Sequence, residues 1–238
     1  METNIRVGTK NVSTLLGYEN VFYFTLGVTK IMQPLDIFDE SDDLAKELQE
    51  VIDLPLFDDS PRIRTSDVAC SLALEHWHSA RALLRAGLLP SALVVHRAQF
   101  EALLRSIWLT YAASDESVSK LTATLSLESE QRAKNMPQVD EMVRGLEKSG
   151  PSQAYDALFR FKDNSWKALN SYAHAGIHPI RRHHEGYPLK LLHDVLRNTN
   201  GLAVMTCMQA VVLSGQQPLQ RTLLELGSKR SVCMPPTL

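Results

Sequence analysis

Cysteine is scarce in this chain: three residues in 238, Cys70, Cys207 and Cys233, widely spaced and without a Cys-x-x-Cys pair. That argues against a disulfide framework and against a zinc ribbon, and it fits a reducing cytoplasm. Net charge is nearly absent, at a formal −2, so nothing pulls the molecule over long range toward nucleic acid or an anionic membrane. Any polyanion binding has to come from a local basic patch. Long apolar runs are missing as well. The longest, 201-GLAVMTCMQAVVL-213, falls short of the roughly 20 residues that span a bilayer. The opening METNIRVGTKNVSTLLGYEN lacks the basic start and apolar core of a signal peptide. The expectation is a soluble, cytoplasmic protein with no membrane partner. The eleven glycines are scattered, giving neither a phosphate-cradling loop nor a Gly-x-Ser-x-Gly elbow. No internal repeat is visible.

What is present is apolar material at helical spacing. With 44% hydrophobic and 22% charged residues, the chain can bury one core or a core with appendages. Helical periodicity predicts helices over about 67–87, 91–113, 116–126, 128–149, 152–175, 188–213 and 217–226. Before them lies an acidic stretch, 36–54, with one short helix. A connection rich in Pro and Asp, 55–67, follows it, and there Ser66 or Asp67 is positioned to cap the first long helix. The segment 21-VFYFTLGVT-29 reads as a strand or as a buried helix. The fold class is therefore all-α: a helical bundle over 61–226, an N-terminal extension over 1–60 and a loose tail over 227–238.

Helical-wheel arithmetic, at about 100° per residue, puts Ala69, Leu72, Ala73, Ala80, Leu83 and Gly87 on one stripe with His76 near its centre. In the next helix Leu93, Phe100, Leu104, Ile107 and Tyr111 form the buried stripe, and Arg97 lies within it between His96 and Glu101. Charges on an apolar face need partners, because an unpaired buried charge costs several kcal/mol. Arg97 and Glu101, four residues apart, can supply one another. Two readings stand: an ion pair that fixes helix packing, or an Arg, Glu and His lining a cleft.

Half of the eight histidines fall in 169-LNSYAHAGIHPIRRHHEG-186, which opens as a helix and breaks at Gly176 and Pro179. A metal is one explanation. Glu75-x-x-His78 has the spacing of di-iron bundles, but both residues point away from the apolar stripe and no second Glu-x-x-His exists. His174-x-x-x-His178 lacks the glutamate of His-Glu-x-x-His and has Gly176 between its histidines. No metal and no cofactor is expected. Acid–base chemistry is the second explanation. In the helix 152–175 an apolar face of Tyr155, Leu158, Trp166, Leu169 and Ala173 leaves Lys167, Asn170 and His174 on a polar one. An imidazole there can exchange a proton at cellular pH, and Arg181, Arg182, His183 and His184 can donate to a phosphate if the following loop folds back. Ser171 beside His174 has no acidic third member by spacing. The third explanation involves no chemistry: cationic side chains near a helix C-terminus simply favour the helix dipole.

The run Asn170-Ser171-Tyr172-Ala173-His174 resembles the signature of HEPN domains, and 91-SALVVHRAQFEALLRSIWLTYAA-113 with the Ala-Gly at 175–176 is similar to bacterial helical proteins related to that group, including abortive-infection proteins. The resemblance covers about 67–213. It implies a metal-independent ribonuclease of a toxin or phage-defence kind, composed across a homodimer. In it His174 would serve as general base or acid on an RNA 2′-hydroxyl, Asn170 would orient it, and an arginine would stabilise the developing charge. The pattern's own arginine is missing: the three spacings it allows fall on Leu169, Ala168 and Lys167, and an ammonium does not replace a planar guanidinium at a phosphate. Arg97 or Arg181 has to substitute in space, with Arg182, Lys167, Glu101 and His76 lining the substrate site. Without such an arginine, the implied protein is a catalytically inactive helical dimer that binds a ligand or a protein partner.

Overall fold

A computed structural model describes residues 4–5 and 37–236. The segment 21–29, read above as strand or helix, lies outside them. Among the described residues there are ten α-helices and one antiparallel pair of two-residue strands, β1 (Asn4–Ile5) and β2 (Tyr187–Pro188). The chain is thus an all-α bundle, as its periodicity predicts. No described helix is long and apolar enough to cross a membrane.

The centre of the bundle is an antiparallel hairpin of α2 (Pro61–Arg85) and α3 (Leu89–Tyr111). Its turn needs a residue at φ +73°, which Gly87 supplies. The start of α2 differs from expectation. Ser60 accepts the Ile63 N–H at 3.4 Å and Pro61 occupies the first turn, where its missing N–H costs nothing. Ser66 and Asp67, the two expected caps, both lie inside α2, and Ser66 is buried. Its hydroxyl lies 2.8 Å from that of Thr110 and 3.1 Å from that of Ser106, and Gln209 Nε2 donates to it at 3.4 Å and to Thr110 at 2.7 Å. That polar cluster ties α2 and α3 to α9 (Leu189–Leu213).

The buried face of α2 is centred on Cys70, Ala73, Trp77, Ala80 and Leu84, so the expected stripe is turned. Leu72 is 44% exposed and His76 sits half-buried at the margin rather than at the centre. A wheel that counts apolar positions underweights one indole, whose area outweighs several alanines.

Outside the hairpin, α6 (Val139–Ser149) and α7 (Ser152–Ala173) pack on α3, while α1 (Ile37–Ile52) and α10 (Leu219–Lys229) pack on α9. The helix expected over 128–149 is two, α5 (Leu127–Ala133) and α6, because Pro137 cannot continue a helix. Ahead of them, α4 (Asp115–Thr122) is capped by Ser114. Residues 37–52 lie in the core through Leu44 and Leu48, both fully buried. Nor are residues 227–236 loose: Cys233 is fully buried, its carbonyl accepts the Asn200 side-chain N–H at 2.9 Å, and Arg197 Nε donates to Val232 O at 3.0 Å.

Candidate phosphate-facing site

α7 ends where the His174 N–H closes the last turn on Asn170 O at 3.1 Å. Ala175 then takes φ +50°, a left-handed conformation that costs an alanine roughly 1–2 kcal/mol. Gly176 follows, its N–H bonded to Ser171 O at 2.7 Å. Any side chain at 176 would collide, since a Cβ there would lie 2.6 Å from Ser171 Oγ. The same Oγ accepts the His178 N–H at 3.2 Å. Ser171 therefore caps the next helix and is not one half of a Ser-His pair.

That next helix, α8 (Ile177–Glu185), replaces the broken loop expected here. Pro179 falls in its first turn, where no backbone N–H is needed. α8 buries none of its residues. It carries His178, Arg181, Arg182, His183 and His184 against one carboxylate, Glu185, which pairs with Arg181. Among the described residues no carboxylate pairs with Arg182. Ile177 and Ile180 are 70% and 62% exposed. Gly186 at φ +94° then turns the chain into β2.

The second group of predicted residues meets between α3 and α7. Arg97 Nε donates to Asn170 Oδ1 at 2.8 Å, and its two terminal nitrogens donate to Glu101 at 2.9 and 3.1 Å. Its guanidinium lies over the Trp166 ring, 4.7 Å from the centroid. Burial pushes the Glu101 carboxyl up, against the pull of Arg97 and Arg105. Asn170 is thus turned toward α3, not onto an open polar face with Lys167 and His174. Those two are exposed, and among the described residues the His174 ring makes no hydrogen bond, ion pair or ring contact. The structure joins Arg97, Glu101 and Asn170. It leaves His174, Lys167, Arg181 and Arg182 on the surface of the α7–α8 end, and it keeps His76 on α2 outside both groups.

Periodicity places His96 on the shoulder of α3, yet it is 3% exposed. Its Nδ1 lies 3.1 Å from both Gln99 Oε1 and Thr199 Oγ1, and burial pulls its pKa down to about 4. Two tyrosines join the site that no motif or spacing singles out. Tyr172 on α7 and Tyr187 on β2 are 9% and 5% exposed, and the Tyr187 hydroxyl is buried with no partner. Only the contrast of two aromatic phenols beside a basic run marks them in the sequence.

Among the described residues no cluster of three or more His, Cys, Asp or Glu is arranged to hold a metal, and Glu75 and His78 are both exposed. A separate cleft of about 210 Å³ between α1 and α2 is lined by His78, Arg81 and Arg85. Its two arginines are held by Asp42.

No curated protein and no solved structure matches the chain. Residues 70–236 match the model of a family of unknown function, DUF6988, and since they make up well over half of the sequence, the chain belongs to that family.

Proposed function

We propose that this protein binds RNA at the α7–α8 end of its bundle. The observation that carries the reading is α8 itself, an exposed helix with two arginines and three histidines and one carboxylate, which is already paired. On a molecule with almost no net charge this is a local surface for phosphates, held in place by the Ser171 cap and the Gly176 turn. Filter binding of a short oligoribonucleotide tests it. Replacing both Arg181 and Arg182 by Gln is expected to weaken binding and to reduce the slope of log affinity against log salt by about 0.7 for each phosphate that is no longer neutralised. An unchanged slope would refute the surface.

A second reading, HEPN-like ribonuclease activity of a toxin or phage-defence type, is favoured by the Arg97–Asn170 bond, which fixes Asn170 one helical turn before His174. In that reading His174 moves the 2′-hydroxyl proton, and a twofold mate completes the site across a homodimer. Arg97 is committed to Glu101, so it serves by fixing Asn170 rather than by reaching a phosphate. Cells expressing the wild type should then show cleaved RNA and slowed growth, and cells expressing His174→Ala should show neither. Identical RNA profiles and growth leave the binding reading alone standing.

A further inference from the structure

α8 has no core to serve, yet it carries two isoleucines. It buries none of its residues, and Ile177 and Ile180 are 70% and 62% exposed. Helix propensity does not account for them either, since a β-branched side chain is a poorer helix former than alanine or leucine. Their direction is set by His178, whose ring lies 6.2 Å from that of the buried Tyr172 and so marks the side of α8 that faces α7. At about 100° per residue, Ile177, His184 and Ile180 lie roughly 100°, 120° and 160° round the helix from His178. These three form one outward strip, with Arg181 on one flank and His183 on the other. All five side chains are exposed.

The charge around the strip decides what covers it. α8 carries two arginines and three histidines against the single carboxylate of Glu185, so a second copy seated on the same face by a twofold axis would set cations against cations. Duplex RNA fits no better. Its major groove is too deep and narrow for side chains, and its shallow minor groove presents ribose hydroxyls and phosphates, which would lose water to the isoleucines with no hydrogen bond in return. A strand with unpaired bases presents both chemistries together: phosphates for the guanidinium groups, and base faces for the isoleucine side chains and the imidazole. We propose that the strip of Ile177, Ile180 and His184 receives unpaired bases, so that single-stranded RNA is the class of ligand that α8 takes. The inference rests on the RNA reading and deepens it, with Arg181 and Arg182 on the backbone and the strip beside them on the bases.

Filter binding of the full chain to an unstructured oligoribonucleotide, and to the same strand annealed to its complement, tests this at several salt concentrations. Wild type should hold the single strand at least about tenfold more tightly than the duplex, the worth of one stacked base. Ile177→Ser/Ile180→Ser should lose that preference and keep the salt slope, because no cation is removed. Serine is close to isoleucine in helix propensity, so α8 itself is preserved. Ile180→Ser alone, which leaves the first residue of α8 in place, should lose about threefold on the single strand and reports even if the double variant folds poorly. Equal wild-type affinity for the two RNAs, an unaltered preference in the serine variants, or a loss accompanied by a shallower salt slope overturns the inference and leaves the RNA reading standing. A wild type that holds neither RNA removes both. A wild-type dimer that the double variant dissociates in size-exclusion chromatography, at unchanged RNA preference, assigns the strip to a contact between copies and also overturns the inference.

Discussion

His96 and His174 are separated by burial: the first lies in the core and the second on the surface. His96 sits in the core against Phe161, Gln99 and Thr199, where desolvation disfavours the cation. Its folded pKa, about 4, is below that of an imidazole in the unfolded chain, near 6.5. As pH falls, the unfolded state therefore takes up the proton first. The stabilisation is complete above about pH 6.5 and is lost progressively toward pH 4, by about 3 kcal/mol in all. Glu101 and Asp67, whose carboxyls burial pushes up, act in the opposite sense over the carboxylate range. Urea midpoints at pH 7 and pH 5 should show the loss in the wild type and a flatter dependence in His96→Gln, and parallel curves would exclude His96 as the cause. The inward charge of Arg97 and Glu101 was legible from their spacing alone. The third partner was not, because nothing in the spacing of α7 says that Asn170 faces α3.

At the scale of an element, α8 is held by little. It buries no side chain and depends on one turn, in which Ala175 is left-handed, Gly176 approaches Ser171 and Ser171 caps His178. Gly176→Ala places a methyl group 2.6 Å from Ser171 Oγ, so Ser171 has to move and the cap is lost. Hydrogen exchange should then accelerate at the amides of α8, the His178 amide among them, while those of α2 and α3 stay protected. Uniform acceleration would mean that α8 is integral to the core. The sequence shows Pro179 and Gly176 as breaks, and they are breaks for α7. That a second helix begins between them depends on Ser171 Oγ lying seven residues back in sequence and close in space, a contact no local pattern encodes.

At the scale of the whole molecule, both ends of the described bundle converge on α9. α1 is fastened to the end of α10 by Arg230, which pairs with Glu40, Asp43 and Glu47. Hydrogen bonds from Arg230 and Lys229 hold the Glu47 carboxyl down to about 2. One polar chain crosses the core: Arg81 Nε donates to Ser41 at 2.8 Å, Ser41 to Asn200 at 3.0 Å, Trp77 to Asn200 at 2.9 Å, and Asn200 to Cys233 O. Removing residues 227–238 takes the acceptor from Asn200 and the ion pairs from α1. A loss on the order of 3 kcal/mol is expected, one buried unsatisfied group together with a partly buried ionic network. Urea denaturation of the truncated chain checks this, and an unchanged midpoint would show the C-terminal residues to be ornamental.

The helical class, the two long helices expected over about 67–87 and 91–113 and the concentration of histidine and arginine at 174–184 were written in the sequence, because spacing of apolar residues, glycine and proline acts over a few residues and needs no distant partner. The register of each helix face, the joining of Arg97 to Asn170, the burial of Tyr187 and the packing of residues 227–236 were settled only by the fold. They depend on which side chain, tens of residues away, occupies the neighbouring space, and a one-dimensional pattern does not carry that information.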